Sequence, residues 1–120
     1  MGDVDDQLSS IVMEMRRGLL ILGVLSRLAV SEYGYSLVQT LEREGFPIEP
    51  GTLYPLLRRL EKQGLLDSTW DTSENRPRKY YKLSDKGHKI YEELIVEWQK
   101  ISGTITALVN GERGNKQWRK

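Results

Sequence analysis

At 120 residues the chain has the length of one ordinary domain, with room for a modest core and none for a separate catalytic domain. A formal net charge of +1 excludes a uniformly basic nucleic-acid binder, so any such affinity has to come from local clusters of cations. The absence of cysteine excludes disulfides and thiolate metal sites, and a lone His88 leaves metal chemistry without ligands, so no cofactor is expected.

Residues 1 to 6 are polar and are expected to fray. No run approaches the roughly 18 apolar residues of a membrane span, and the start lacks the basic and apolar regions of a secretion signal. A cytoplasmic protein with no membrane partner is expected. Leu8, Ile11, Val12, Met15, Leu19, Leu22, Leu25 and Leu28 recur every three or four residues and predict one long first helix. Leu20, Ile21 and Val24 widen its apolar stripe beyond what one small core needs, which makes the helix central to the fold or shared with another subunit. Gly18 and Gly23 lower its helix propensity and read as places of close approach to a neighbouring helix.

Ala29 to Tyr33 reads as a connection, and Gly34 breaks before a second helix, Tyr35 to about Arg43, with Leu37, Val38 and Leu41 inward. Gly45 to Pro50 forms a turn into the stretch around which the chain is organised. There Leu53, Leu56, Leu57 and Leu60 fall at i, i+3, i+4 and i+7, on one side of a short helix. The arc facing away holds Gly51, Pro55, Arg58 and Lys62, flanked by Thr52, Tyr54 and Arg59. No acid lies on that arc, since Glu61 sits near the apolar edge. Thr52 is expected to cap the helix, Pro55 to fall in its first turn, and Gly64 to supply a left-handed stop. An amphipathic helix with a merely solvated outer face would show the same pattern, so its meaning depends on the residues beyond Gly64.

Those residues form a hairpin. Leu65 to Trp70 and Arg78 to Leu83 are β-capable, and Asp71 to Pro77 between them is rich in turn formers. Leu66, Leu83 and one of Tyr80 and Tyr81 should anchor it, because the two tyrosines alternate across the strand. Its tip and return strand carry Asn75, Arg76, Arg78 and Lys79. From Gly51 to Ile90 the bases Arg58, Arg59, Lys62, Arg76, Arg78, Lys79, Lys82, Lys86 and Lys89 outnumber the acids Glu61, Asp67, Asp71, Glu74 and Asp85. Lys86 and Lys89 read as helix-surface decoration. Ser84 or Asp85 then caps a last helix in which Tyr91, Leu94, Trp98, Ile101, Ile105 and Leu108 form a heptad seam. A single narrow stripe of this kind needs the first helix or another chain as its partner. Asn110-Gly111 ends it, and residues 111–120 form a polar, disordered tail with Trp118 as its large apolar residue.

A helix-turn-helix joined directly to a basic hairpin is the arrangement of a winged helix. The major groove accepts a helix, and the hairpin tip suits the adjacent minor groove or its phosphates. Arg58 is the first choice for a base contact, since a guanidinium can pair with guanine in two parallel bonds. Thr52, Tyr54 and Tyr35 offer hydroxyls to phosphates, and Lys62, Arg76, Arg78 and Lys79 add sequence-independent attraction. Arg59 is either free for a partner or paired with Glu61 or Asp67.

Gly34-Tyr35, the run Pro50 to Leu65 containing Gly51-Thr52-Leu53-Tyr54, and the run Arg78-Lys79-Tyr80-Tyr81 to Gly87 resemble the PadR family of bacterial transcriptional regulators. The resemblance covers roughly Leu19 to Leu94. It implies a fold that is mainly α with a small β-hairpin, a winged helix-turn-helix with long N-terminal and C-terminal dimerisation helices. Residues 1–83 would form the DNA-binding domain with its N-terminal helix, and 84–110 the dimerisation helix of the family's smaller branch. The implied function is a repressor that covers a pseudo-palindromic operator in double-stranded DNA as a homodimer and is released by a small molecule. Carried onto this chain, the DNA contacts are Tyr35, Thr52, Tyr54, Arg58, Arg76, Arg78 and Lys79. The dimer surface is Leu8, Ile11 and Val12 with Tyr91, Leu94, Trp98, Ile101, Ile105 and Leu108. Members of that branch stack planar aromatic ligands on a tryptophan of the last helix, which makes Trp98, with Met15, the candidate effector site. A Trp98 that only fills the dimer core is the competing reading. The rival function is a winged-helix protein-interaction module without its own operator. No nucleophile with a base, paired carboxylates or phosphate loop points to an enzyme.

Overall fold

The computed structural model describes residues 2–111, and the expected tail from Glu112 onward, with Trp118, lies outside the described residues. In chain order the elements are α1 (Asp3–Arg17), α2 (Leu20–Leu25), β1 (Glu32–Tyr33), α3 (Gly34–Arg43), α4 (Pro50–Lys62), β2 (Leu66–Asp71), β3 (Arg78–Leu83) and α5 (Asp85–Asn110). The architecture is mostly helical with one small antiparallel sheet.

Two expectations for the N-terminus are corrected. Residues 3 to 6 are helical rather than frayed: α1 starts at Asp3, with Asp3, Asp5 and Asp6 in its first turn and Arg16 and Arg17 in its last, charges that suit the helix dipole at both ends. The single helix over Leu8 to Leu28 is two helices. The first ends at Gly18, where Leu19 N–H donates to the Arg16 carbonyl at 2.9 Å in a tighter turn, and α2 restarts at Leu20. Gly18 acts there through weak helix propensity, because the space a side chain would fill is open. Gly23 does mark a close approach, to a loop side chain rather than a helix: a Cβ there would lie 2.5 Å from the Phe46 ring.

The core is shared by α2, α3, α4 and the sheet, with Val24, Leu25, Leu28, Leu37, Leu53, Leu57 and Leu60 fully enclosed and Leu41, Leu66, Tyr81 and Leu83 nearly so. Each enclosed leucine contributes roughly 1.5–3 kcal/mol relative to an exposed one. All four α4 leucines are buried, as their spacing requires. The start of α4 differs from expectation. Pro50 opens the helix after Glu49, so Thr52 lies exposed in the first turn and caps nothing, while Pro55 sits inside the helix. Pro55 is tolerated because it is on the solvent side, where the Gly51 carbonyl it deprives of a partner can bind water. Gly64, at φ +82°, stops the helix, and Leu65 N–H returns to the Leu60 carbonyl at 2.9 Å.

The sheet has the order β1-β3-β2. Strand β1 falls in the stretch expected to be a plain connection, and it pairs Glu32 with Tyr81 and Tyr33 with Tyr80. In the hairpin Leu66 faces Leu83, Ser68 faces Tyr81 and Trp70 faces Lys79. Tyr81 is the core tyrosine and Tyr80, on the other face, is half-buried.

Ser84 caps α5: its Oγ accepts from Gly87 N–H at 2.9 Å and donates to the Gly64 carbonyl at 2.6 Å, which locks the end of α4 to the start of α5. Tyr91 and Leu94 rest on the core. Beyond them the stripe is open, with Ile101 59% and Leu108 50% exposed, and α1 has no buried residue at all. The radius of gyration is 18.1 Å, against about 14 Å for a compact domain of this length. The excess comes from two apolar-striped helices that project beyond the core.

Candidate nucleic-acid interface

Helix α4 is held by its leucines, so its opposite side is presented to solvent with little freedom to rotate. Gly51, Thr52, Pro55, Arg58, Arg59 and Lys62 are all exposed. None of the three cations joins an ion pair among the described residues. The one acid within α4 is withdrawn. Glu61 Oε2 accepts from Ser68 Oγ at 2.5 Å and Oε1 from Lys79 Nζ at 3.1 Å. These bonds, that of Ser68 first, hold the Glu61 carboxyl below the usual carboxylate range, and the bond to Glu61 raises Lys79 above its usual value. Arg59 is therefore not the partner of Glu61.

Lys79 occupies a different place from the one its position in a basic run indicates. It points back from the wing to α4, with Nζ 5.2 Å from the Tyr81 ring centroid and 5.8 Å from that of Trp70. It fastens the wing to α4. The tip itself is exposed from Thr72 to Arg78. There Asp71 accepts from Ser73 N–H at 3.0 Å and Ser73 Oγ at 2.7 Å, which stiffens the turn and lowers the Asp71 carboxyl, the backbone bond counting most. Arg76 is exposed and carries no ion pair among the described residues. Arg78 lies 3.7 Å from Glu74 and over the Tyr33 ring, 5.2 Å from its centroid.

The two tyrosines expected to reach phosphates differ. Tyr35, at the start of α3, is 54% exposed and its hydroxyl is open to a partner. Tyr54 is half-buried, its ring seated against Gly34, where a Cβ would lie 2.9 Å away. Burial, and then the neighbouring Tyr33, Tyr35 and Tyr81, raise the Tyr54 hydroxyl. Tyr33 and Trp70 were not singled out by sequence reasoning. Tyr33 stands 5.8 Å from Tyr80 and 6.4 Å from Tyr35, joining α3 to the wing, and a two-residue strand leaves no periodic trace by which to find it. Trp70, on the wing face that carries Lys79, is 62% exposed.

The candidate effector residues Trp98 and Met15 are exposed, 44% and 68%, on α5 and α1. A groove of about 620 Å³ runs between α1, α3 and the start of α4, lined by Val12, Met13, Arg16, Leu20, Val38 and Ile48 among others, and neither Trp98 nor Met15 lines it.

The arrangement is a helix with a cationic outer side beside a β-finger fastened to it. The sequence model of the transcriptional regulator PadR-like family matches residues 21–93, from α2 through the wing into α5. The chain belongs to the PadR-like family. A PadR family transcriptional regulator of Eggerthella lenta has a crystal structure with 47% sequence identity and a TM-score of 0.85, covering 88% of this chain and 95% of that one. The PadR-like regulator of Bacillus cereus is 35% identical, with a TM-score of 0.72 and coverage of 82% and 98%. A transcriptional regulator of Mycobacterium tuberculosis is 38% identical over 81 residues, 67% of this chain and 76% of the relative. Membership of the PadR-like family makes the chain a transcriptional regulator and implies regulation through DNA binding. Among the described residues no helix is long and apolar enough to cross a membrane.

Proposed function

We propose that this PadR-like regulator is a cytoplasmic repressor that binds a pseudo-palindromic operator as a homodimer and leaves it when a planar aromatic molecule binds. The observation that carries the DNA-binding part is the cationic side of α4: three exposed bases outside any ion pair among the described residues, Arg58, Arg59 and Lys62, on a helix whose other side is four buried leucines. Arg58 reads a base in the major groove. Arg59, Lys62 and the hydroxyls of Thr52 and Tyr35 meet phosphates, with Tyr54 packed against Gly34 beside them. Arg76 and Arg78 reach the adjacent minor groove or its backbone, and Lys79 serves by fixing the wing.

The dimer reading rests on surfaces left uncovered. Leu8 and Ile11 on α1 and Trp98, Ile101, Ile105 and Leu108 on α5 are each 44% or more exposed, and apolar helix stripes left open in this way suit a partner surface. Val12, Tyr91 and Leu94 extend these stripes toward the core. Trp98 and Met15 project from the same two helices, and this supports placing the effector at the interface.

The test is fluorescence anisotropy with the purified protein and a duplex it selects from a random-sequence pool. Affinity for that duplex should exceed affinity for a scrambled one and fall steeply with salt, by about 0.9 in log–log slope for each phosphate neutralised. Failure to bind any duplex at low salt would overturn the proposal and favour a protein-interaction module.

A further inference from the structure

Arg78 begins β3 at the wing tip, yet the ring beneath it belongs to no part of the wing. Tyr33 is the second residue of the edge strand β1, and its register opposite Tyr80 puts it diagonally across from Arg78 on one face of the sheet. The guanidinium carbon lies 5.2 Å from the Tyr33 centroid. That ring is itself fixed, 5.8 Å from Tyr80 and 6.4 Å from Tyr35. A guanidinium over an aromatic ring uses one flat face and keeps the N–H groups of its rim free. Here the rim meets Glu74 at 3.7 Å, with both side chains largely in solvent, so the pair contributes little.

We propose that Tyr33 is a positioning residue for DNA binding: it shelves Arg78 so that the rim of the guanidinium faces a phosphate, which displaces Glu74. The inference rests on the DNA-binding reading above. Its consequence is kinetic and thermodynamic. A long side chain already held in its bound rotamer loses less entropy on association.

The test uses the full chain, the selected duplex and a scrambled duplex, with Tyr33→Leu, Tyr33→Phe, Arg78→Ala and the double variant Tyr33→Leu/Arg78→Ala. Arg78→Ala should weaken both duplexes and reduce the salt slope by about 0.9 per wing. Tyr33→Leu should weaken binding about tenfold in a complex with two wings, and Tyr33→Phe, which keeps the ring, less than about twofold. In the Arg78→Ala background Tyr33→Leu should cost nothing further. An equal loss in both backgrounds would overturn the inference while leaving the DNA-binding reading intact, as would Tyr33→Phe binding as poorly as Tyr33→Leu. A wild-type chain that binds no duplex would remove both. Should Tyr33→Leu fail to fold, Glu74→Gln supplies the second arm. It should tighten binding a fewfold, and that gain should vanish once Arg78 is alanine. Unchanged or weaker binding would sink the idea.

Discussion

Replacing Glu61 tests how the wing is held to α4. Its carboxylate accepts from Ser68 at 2.5 Å and from Lys79 at 3.1 Å, and so joins α4 to both strands of the hairpin. Bonds to a charged group are worth roughly 1.5–3 kcal/mol each when buried. The Lys79 and Glu61 side chains are 27% and 32% exposed, and screening brings each bond to about 1 kcal/mol. Glu61→Ala should therefore cost about 2 kcal/mol, a fall in Tm of about 8 °C for a chain of this size. Glu61→Gln, which keeps an acceptor for Ser68 but loses the charge, should cost about half. In a double-mutant cycle, Glu61→Ala and Lys79→Ala should couple by about 0.5–1 kcal/mol. The two shifts set the pH dependence. Glu61, lowered in the fold, stabilises above the unfolded carboxyl value and loses this as pH falls through its lower folded value. Lys79, raised in the fold, stabilises below its unfolded value and loses this as pH rises through its higher folded value. The Tm gap between wild type and Glu61→Ala should thus be flat across neutral pH and close below about pH 4. Strict additivity in the cycle would refute the tether. So would a Lys79→Met variant that keeps its Tm but loses about 0.9 of salt slope per wing, since Lys79 would then be a phosphate contact.

Arg58→Ala should weaken binding to the selected duplex by about 1–3 kcal/mol more than to a scrambled one in anisotropy titrations, and equal losses would make Arg58 a phosphate contact only. Ile105→Lys, on the open stripe of α5, should turn a dimer into a monomer by light scattering while the far-UV CD stays helical. Titration with a planar cationic dye should quench tryptophan fluorescence saturably, and Trp98→Ala should abolish the effect; quenching that survives would exclude Trp98 as the platform. Gly87→Ala should lower Tm more than Gly23→Ala. The methyl at 87 meets the Leu65 backbone carbonyl, which already accepts from Ser84, whereas at 23 it meets the outer edge of the Phe46 side chain rather than backbone.

The fold was largely legible because its strongest signals are local. Four leucines at helical spacing fix which side of α4 is inward, and the tyrosine alternation requires that one of Tyr80 and Tyr81 anchor β3, which the structure shows to be Tyr81. Gly64 was readable as a stop, and Ser84 as one of two candidate caps with Asp85, because that chemistry is satisfied within a few residues. Most of the unforeseen features depend on partners distant in sequence, Thr52 being a local exception. The apolar rhythm from Leu8 to Leu28 is continuous through Gly18, so it could not show that α1 leaves the core and α2 enters it. Thr52 looks like a cap until Pro50, ideal for a first helical position, takes the start of α4. Lys79 looks like its neighbours Arg76 and Arg78, and only the register against Trp70, with Glu61 beyond, withdraws it from the tip. Tyr33 became visible only through a two-residue strand.

The most direct test of the central claim is a hydroxyl-radical footprint of the purified protein on the duplex it selects. Two protected half-sites related by a dyad, with centres about 34–36 Å or a multiple apart, are predicted, with weaker protection of both halves for Arg58→Ala at the same protein concentration. A single asymmetric patch, or a footprint that Arg58→Ala leaves unchanged, would contradict the account.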